Sequence, residues 1–312
     1  MSADRKPLYH FWSPRYWPVW FGVALLRTVC LLPNAAALRI GVAIGRLAHR
    51  VGRERRAIVR RNIELCFPEL TITERDALAR KHFEALGMSV IELGMGWWAK
   101  DEQLSAITSI SGLEHLQAAL DTGQGVILLG AHFTTTEICG RVMRLNCPPY
   151  DAVYRKNRSE FVTALLRSAR ERSADTTIEK RDIKAMVRSL RAGRIVWYAP
   201  DQSYRRKGAE IVGFFGIPSM HTSATSTLAR LGRAAVLPAF SRRLADGRYE
   251  IEIFPPLADV PSDDAIADTE KYVQVLETFV RTCPEQYFWV HRKFKYLPEG
   301  YPDYYADLDA LK

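Results

Sequence analysis

The chain lacks most of the marks of nucleotide, metal and serine-nucleophile chemistry. Its five cysteines, Cys30, Cys66, Cys139, Cys147 and Cys283, contain no Cys-x-x-Cys spacing. Neither a zinc site nor a disulfide framework is expected, and a reducing cytoplasmic setting fits. Cys139 reads as an isolated buried thiol rather than a nucleophile. No Gly-rich phosphate loop is present, because Gly41 and Gly45 fall in a helical, arginine-rich stretch with no strand before them. No Gly-x-Ser-x-Gly elbow occurs. Internal repeats and low-complexity linkers are missing as well. Acid is in deficit, with 35 Asp+Glu against 44 Lys+Arg and a net charge of +9. Such a balance suits an acidic partner, whether lipid head groups, a phosphorylated substrate, an acidic protein or nucleic acid.

Long apolar runs are also scarce. Residues 12–32 carry Trp12, Tyr16, Trp17 and Trp20 and then an apolar tract, but Arg27 interrupts it and Pro33 ends it. A spanning helix needs roughly 20 apolar residues. The segment therefore fits an aromatic-flanked helix lying in the membrane interface at least as well as a true span. It lacks a basic leader and a clear cleavage site, so it is expected to be retained. Seven arginines follow between Arg46 and Arg61, with Glu54 the only acid among them. They form either a solvated basic helix face or a surface for anionic lipid. Thr71-Ile-Thr-Glu74 is a capping-box pattern ahead of a long helical run through Trp98. Gly87, Gly94 and Gly96 within that run weaken helix propensity and allow close packing or a bend.

The centre of the chain is Gly125-Val-Ile-Leu-Leu-Gly-Ala-His132-Phe-Thr-Thr-Thr-Glu137. Its continuous apolar run suits a strand covered on both faces. Thr134 is the expected N-cap of a helix over 135–144, with Glu137 in the capping-box position. That arrangement puts His132 at a strand tip and Glu137 in the first helical turn. An imidazole with a carboxylate to fix its tautomer can take a proton from a hydroxyl, and a helix N-terminus stabilises negative charge beside it. With 7 His and 35 acids in 312 residues, about one His-x4-acid pair is expected by chance. A second pair, His49 and Glu54, lacks the strand and turn and is set aside. His132 and Glu137 can equally be a satisfied histidine beside an ordinary capping glutamate, and the spacing alone does not choose.

Beyond residue 125 the pattern alternates strand and helix. Strands are expected at 151–154, 195–199 and 235–240, with a hairpin at Asp246-Gly247 leading into 249–254, and helices at 181–191, 222–231 and 264–281. The predicted class is α/β: a mixed, mostly parallel sheet flanked by helices, after an α-helical, membrane-associating N-terminal region. Residues 1–34 form the anchor or interfacial helix. Residues 35–312 form one further domain, divided into a helical entry (35–100) and an α/β core (101–312). In an open sheet the strand ends face one side, so His132, Arg155, Asn157 and Asp201 are expected to converge there. The tract 284–295 reads as a sheet-covering segment, with His291 an alternative substrate contact. Nucleic-acid binding rests only on charge and on aromatics near basic residues.

Several blocks carry a resemblance. His132-Phe-Thr-Thr-Thr-Glu137, Glu64-Leu-Cys-Phe-Pro-Glu69, Val153-Tyr-Arg-x-Asn157, Val196-Trp-Tyr-Ala-Pro-Asp201 and Pro284-Glu-Gln-Tyr-Phe-Trp-Val-His-Arg-Lys-Phe-Lys295 resemble the late lipid A acyltransferases of Gram-negative bacteria, particularly the lauroyl type. The short histidine motif is shared with glycerophospholipid acyltransferases, whereas the longer blocks are specific. The resemblance implies an enzyme of the bacterial inner membrane, working on the cytoplasmic side. It would move a fatty acyl chain from acyl carrier protein to a hydroxyl of Kdo2-lipid IV-A, with no metal, cofactor or nucleic acid. His132 would be the general base and Glu137 its orienting partner, while Arg155, Asn157, Arg170 and Asp201 would bind substrate. Arg170 corresponds to an arginine held near the catalytic pair, suited to oxyanion or phosphate contact. A lysophospholipid acyltransferase using the same pair and a non-enzymatic basic membrane-binding protein are the alternatives.

Overall fold

In a computed structural model of the chain, residues 6–155 and 159–311 are described, apart from the side chains of 169–173 and 311. The first hundred residues are helical: α1 (Trp17–Val29), α2 (Asn34–Val51), α3 (Arg53–Cys66), α4 (Ile72–Trp98) and α5 (Asp101–Ala106). The Thr71 capping box forms as its sequence predicts, with Thr71 Oγ1 accepting from the Glu74 amide and Glu74 accepting from the Thr71 amide. The long helix α4 packs against α2 through glycines. A Cβ on Gly87 would come within 2.0 Å of the Gly41 carbonyl and 2.4 Å of the Gly45 amide. Helix α4 thus tolerates its glycines because backbones touch there. Gly94 and Gly96 extend the same logic, the first seating Leu26 of α1 and Cys30 just beyond it and the second facing the backbone of Glu137.

The remainder builds the sheet. In chain order it comprises β1 (Thr108–Ser111), α6 (Leu113–Asp121), β2 (Gly125–Leu129), α7 (Thr136–Asn146), β3 (Tyr150–Tyr154), α8 (Glu160–Ser173), β4 (Thr176–Glu179), α9 (Ile183–Arg191) and β5 (Ile195–Tyr198). Then follow a hairpin of β6 (Ala209–Phe214) and β7 (Ile217–Thr222), α10 (Ala224–Gly232), β8 (Ala234–Arg243), β9 (Tyr249–Ile253) and α11 (Ala265–Thr282). Seven strands pair in the order β1-β9-β8-β2-β5-β3-β4, and all but β8–β9 are parallel. This is the mixed, mostly parallel sheet that the sequence predicts. Strands β1 and β4 and the β6–β7 hairpin go beyond that reading, because four-residue strands and a hairpin broken by Gly213, Gly216 and Pro218 leave little periodic signal.

Alternate residues of the central strands feed two cores. Ile127, Leu129, Val196 and Val236 pack with α9, α10 and α11, while Val126, Leu128, Ile195 and Leu237 pack with α6 and α7. A strand buried on both faces must be apolar at every position, and β2 is fully buried along its length. A buried ion pair ties the helical entry to the sheet: Glu92 of α4 accepts from Arg243 of β8 and from Tyr249 of β9, the latter at 2.9 Å. The arginine-rich segment is largely spent inside the chain. Arg46 pairs with Glu84, Arg60 with Asp76 and Arg61 with Asp307, and Arg55 donates to the Val290 carbonyl.

Candidate active site

The site forms where two parallel strands end. Register pairs Leu129 of β2 with Tyr198 of β5, a separation of 69 residues that also separates His132 from Asp201. The chain leaves the two strands in step, and three residues later the side chains meet. Asp201 Oδ1 lies 2.6 Å from His132 Nδ1, and Oδ2 accepts from the His132 amide at 3.1 Å and from the Tyr287 hydroxyl at 3.1 Å. The carboxyl is buried, 1% exposed, whereas the His132 side chain is 39% exposed. Burial pushes the Asp201 carboxyl up, but the charge and hydrogen bond of His132 and the nearby Lys293 ammonium pull it down to about 2. It is therefore an anion at any working pH.

This geometry corrects two expectations. The carboxylate that meets the ring nitrogen of His132 is that of Asp201, not Glu137, because the parallel register delivers a neighbouring strand end to Nδ1. The Asp201 carboxyl is buried against the imidazole and borders the small recess beside it. Helix α7 begins one residue later than predicted, at Thr136, and its N-cap residue Thr135 makes no capping bond. The Thr135 hydroxyl faces Ser241 instead. Glu137 does sit in the first turn of α7, and it lines the same cavity as His132. Arg155 also lines that cavity. Asn157 lies outside the described residues, and so does the side chain of Arg170, whose backbone belongs to α8.

The tract 284–295 clamps the histidine segment. The Thr134 amide donates to the Gln286 carbonyl and the Phe288 amide to the His132 carbonyl, so 286–288 runs as a short antiparallel partner of 132–134. Gln286 also exchanges both its amide groups with the backbone of Arg243, and Tyr272 of α11 donates to the Gly130 carbonyl at 2.8 Å. Trp289 and Phe294 are buried, as a sheet-covering segment requires. His291 borders a small recess beside His132, and burial with the neighbouring His132 lowers it to about 4. Lys293 escaped the sequence reading. It is buried, donates to the Asp201 carbonyl, and faces His221 at 3.3 Å and the ring of Phe214 at 4.6 Å. Burial lowers the ammonium to about 8, partly offset by Asp201. An alternating apolar and basic tract gives no sign of which lysine turns inward.

The cavity in front of His132 encloses about 660 Å³, within the range of small-molecule sites. Leu93 and Val90 of α4, Val153, Met186, Trp197 and Leu228 give it apolar walls, and Arg155, Lys180, Arg181 and Arg206 line it as well. A narrower void of about 60 Å³ lies between α7 and the sheet, lined by small residues including Gly130, Ala131, Ala152 and Ala239. Thr136, Glu137 and Trp197 border both spaces. Among the described residues no group of three His, Cys, Asp or Glu is placed to hold a metal ion. The Cys139 thiol is buried, and burial pushes it up to about 12, far from a nucleophile at neutral pH.

These features coincide with clear sequence kinship. Residues 5–296 match the model of the bacterial lipid A biosynthesis acyltransferases. The chain is 37% identical to the lipid A biosynthesis lauroyltransferase of Escherichia coli K12, over 94% of this chain and 96% of that one. It is 36% identical to the palmitoleoyltransferase of the same strain over 93% and 95%, and 28% identical to its myristoyltransferase over 91% and 89%. By the match to the family model and by these identities, the chain belongs to the bacterial lipid A biosynthesis acyltransferase family.

Proposed function

We propose that the protein transfers a fatty acyl group, lauroyl in the first instance, from acyl carrier protein to a hydroxyl of Kdo2-lipid IV-A at the cytoplasmic face of the inner membrane. The observation that carries the reading is the buried Asp201 carboxylate on Nδ1 of His132. With Nδ1 held as a donor, Nε2 is the basic nitrogen, and His132 lines the cavity. It accepts the proton of the acceptor hydroxyl as that oxygen bonds to the thioester carbonyl carbon. The tetrahedral oxyanion develops near the positive end of α7. On collapse the carbon–sulfur bond breaks, and the departing thiolate takes the proton from the imidazolium. No protein nucleophile is required.

Glu137 is assigned to the wall facing the reacting groups, where it balances the charge of the imidazolium and of the surrounding cations, and Arg170 and Asn157 are assigned to substrate. The acyl chain lies along the apolar walls and ends in the small-residue void behind α7. Each further methylene buried there contributes about 0.8 kcal/mol until the void is full. The exposed apolar stripe of α1, Trp17, Phe21 and Leu25, rests on the lipid surface. Helix α1 has 13 residues, and among the described residues no helix is long and apolar enough to cross a membrane.

The test is incorporation of a labelled acyl chain by purified protein offered Kdo2-lipid IV-A and a lysophospholipid side by side. Transfer to the lipid A precursor, abolished in His132→Ala and Glu137→Ala at unchanged folding, is the expected result. Preference for the lysophospholipid, or full activity in His132→Ala, would overturn it.

A further inference from the structure

Strands β3 and β4 are electrically polar. At their entry ends Asp151 and Asp175 are neutralised, Asp151 by Arg194 at 2.7 Å and Asp175 by Arg144 at 2.9 Å. Arg155 follows the exit end of β3, and Lys180 and Arg181 follow that of β4. Arg206, between β5 and β6, joins them, and all four line the cavity that holds His132. None of these four side chains forms an ion pair or hydrogen bond with a carboxylate among the described residues. The adjacent Asp182 is occupied in capping α9, where it accepts from the Ala185 amide at 3.0 Å. Glu179 is the acid that offsets the charge at Lys180. Elsewhere arginines of this chain find partners, as Arg141 does in Asp101 and Arg242 in Glu250.

Four like charges around one opening repel each other, and folding gains nothing from gathering them. An anion that enters the cavity removes that cost. We propose that Arg155, Lys180, Arg181 and Arg206 form the seat of a substrate phosphate group, fixing one end of the substrate while the reacting hydroxyl or thioester lies at His132. Guanidinium groups match a phosphate with paired N–H donors, and an ammonium adds a point charge. The order of depression at Lys180 is consistent with this crowding: burial lowers its ammonium most, followed by Arg155, Arg206 and Arg181. The phosphate has two sources, a sugar phosphate of the acceptor glycolipid or the phosphodiester of the prosthetic arm on the donor carrier protein. The seat rests on the acyl-transfer reading above for its substrates, but binding can be measured without turnover.

The experiment compares wild type with R155A/K180A/R181A/R206A in detergent micelles, using an intact phosphorylated lipid A precursor and the same lipid after enzymatic dephosphorylation. If the acceptor phosphate sits here, KM for the intact precursor rises about tenfold or more in the variant while kcat changes little. Wild type then shows the same rise with the dephosphorylated lipid, and the variant no longer distinguishes the two. If the donor supplies the group, KM for the acyl carrier protein rises instead, whichever acceptor is used. Equilibrium binding of both lipids and of the acylated carrier is measured in parallel, so a phosphate preference lost in the variant upholds the seat even if wild type transfers no acyl chain. The melting temperature is expected to stay the same or rise as the mutual repulsion is removed. Unchanged KM values with unchanged binding, or a melting temperature several degrees lower with no loss of phosphate preference, overturns the proposal.

Discussion

At the scale of single residues, the chemistry depends on how Asp201 and Lys293 bias one imidazole. Because Asp201 is held at about 2, below the ordinary carboxylate value of 3.8, it stays charged across the assay range. Its contribution to stability is fully present above the ordinary value and is lost only as pH falls toward about 2. The acid limb of a pH–rate profile therefore reports the imidazole. Asp201→Asn keeps the shape but presents the wrong hydrogen-bonding face to Nδ1, and kcat is expected to fall about 10²- to 10⁴-fold, measured by acyl incorporation at saturating substrate. Lys293→Met removes a buried cation next to the pair, which favours the protonated imidazole. The acid limb should move to higher pH, and a profile of kcat/KM against pH checks the direction. His132 was legible in the sequence because an apolar run breaking at Gly-Ala before a histidine is a local signal. Its partner was misread, since a His-x4-acid spacing is visible along the chain and a contact across 69 residues is not.

At the scale of elements, the site is only as firm as the supports of β2 and α7. Helix α4 holds the start of α7 against Gly96 and is itself seated on α2 at Gly87. Gly87→Val would drive a branched side chain into the α2 backbone, where no side chain can yield. A loss of about 3 kcal/mol or more is expected, read as a lowered denaturation midpoint. The Glu92–Arg243–Tyr249 cluster is a second support, and burial raises the Glu92 carboxyl against the pull of Arg243. Glu92→Gln leaves that arginine buried without its counter-charge and should cost about 3–5 kcal/mol in the same measurement. Helices and long apolar strands were readable because their periodicity spans many residues. The β6–β7 hairpin was not, because β6 sends only Val212 and Phe214 into the core and neither strand carries a sustained alternation.

Across the whole molecule, one flank presents apolar residues to the outside. Trp17, Phe21 and Leu25 recur every fourth position on α1, and Ile44, Leu47 and Val51 form a similar stripe on α2. Helix α4 links this flank to the active site, since Leu93 and Val90 line the cavity and Gly94 receives α1. Phe21→Asp/Leu25→Asp should leave the melting temperature near wild type and reduce co-flotation with anionic vesicles about tenfold or more. Equal flotation of the variant would remove the proposed membrane face. Among the described residues no helix is long and apolar enough to cross a membrane, and one face of α1 packs on α4 at Gly94.

The sequence by itself determined the α/β class, the order of the main helices and strands, the family, and the histidine at a strand tip, because each of these is written in residues close together along the chain. Tertiary structure alone decided which carboxylate holds that histidine, which lysine backs it and which cations gather at the cavity. Those facts depend on strand order and register, and the energy that fixes register is spread over the apolar faces of the whole sheet rather than carried by any local motif.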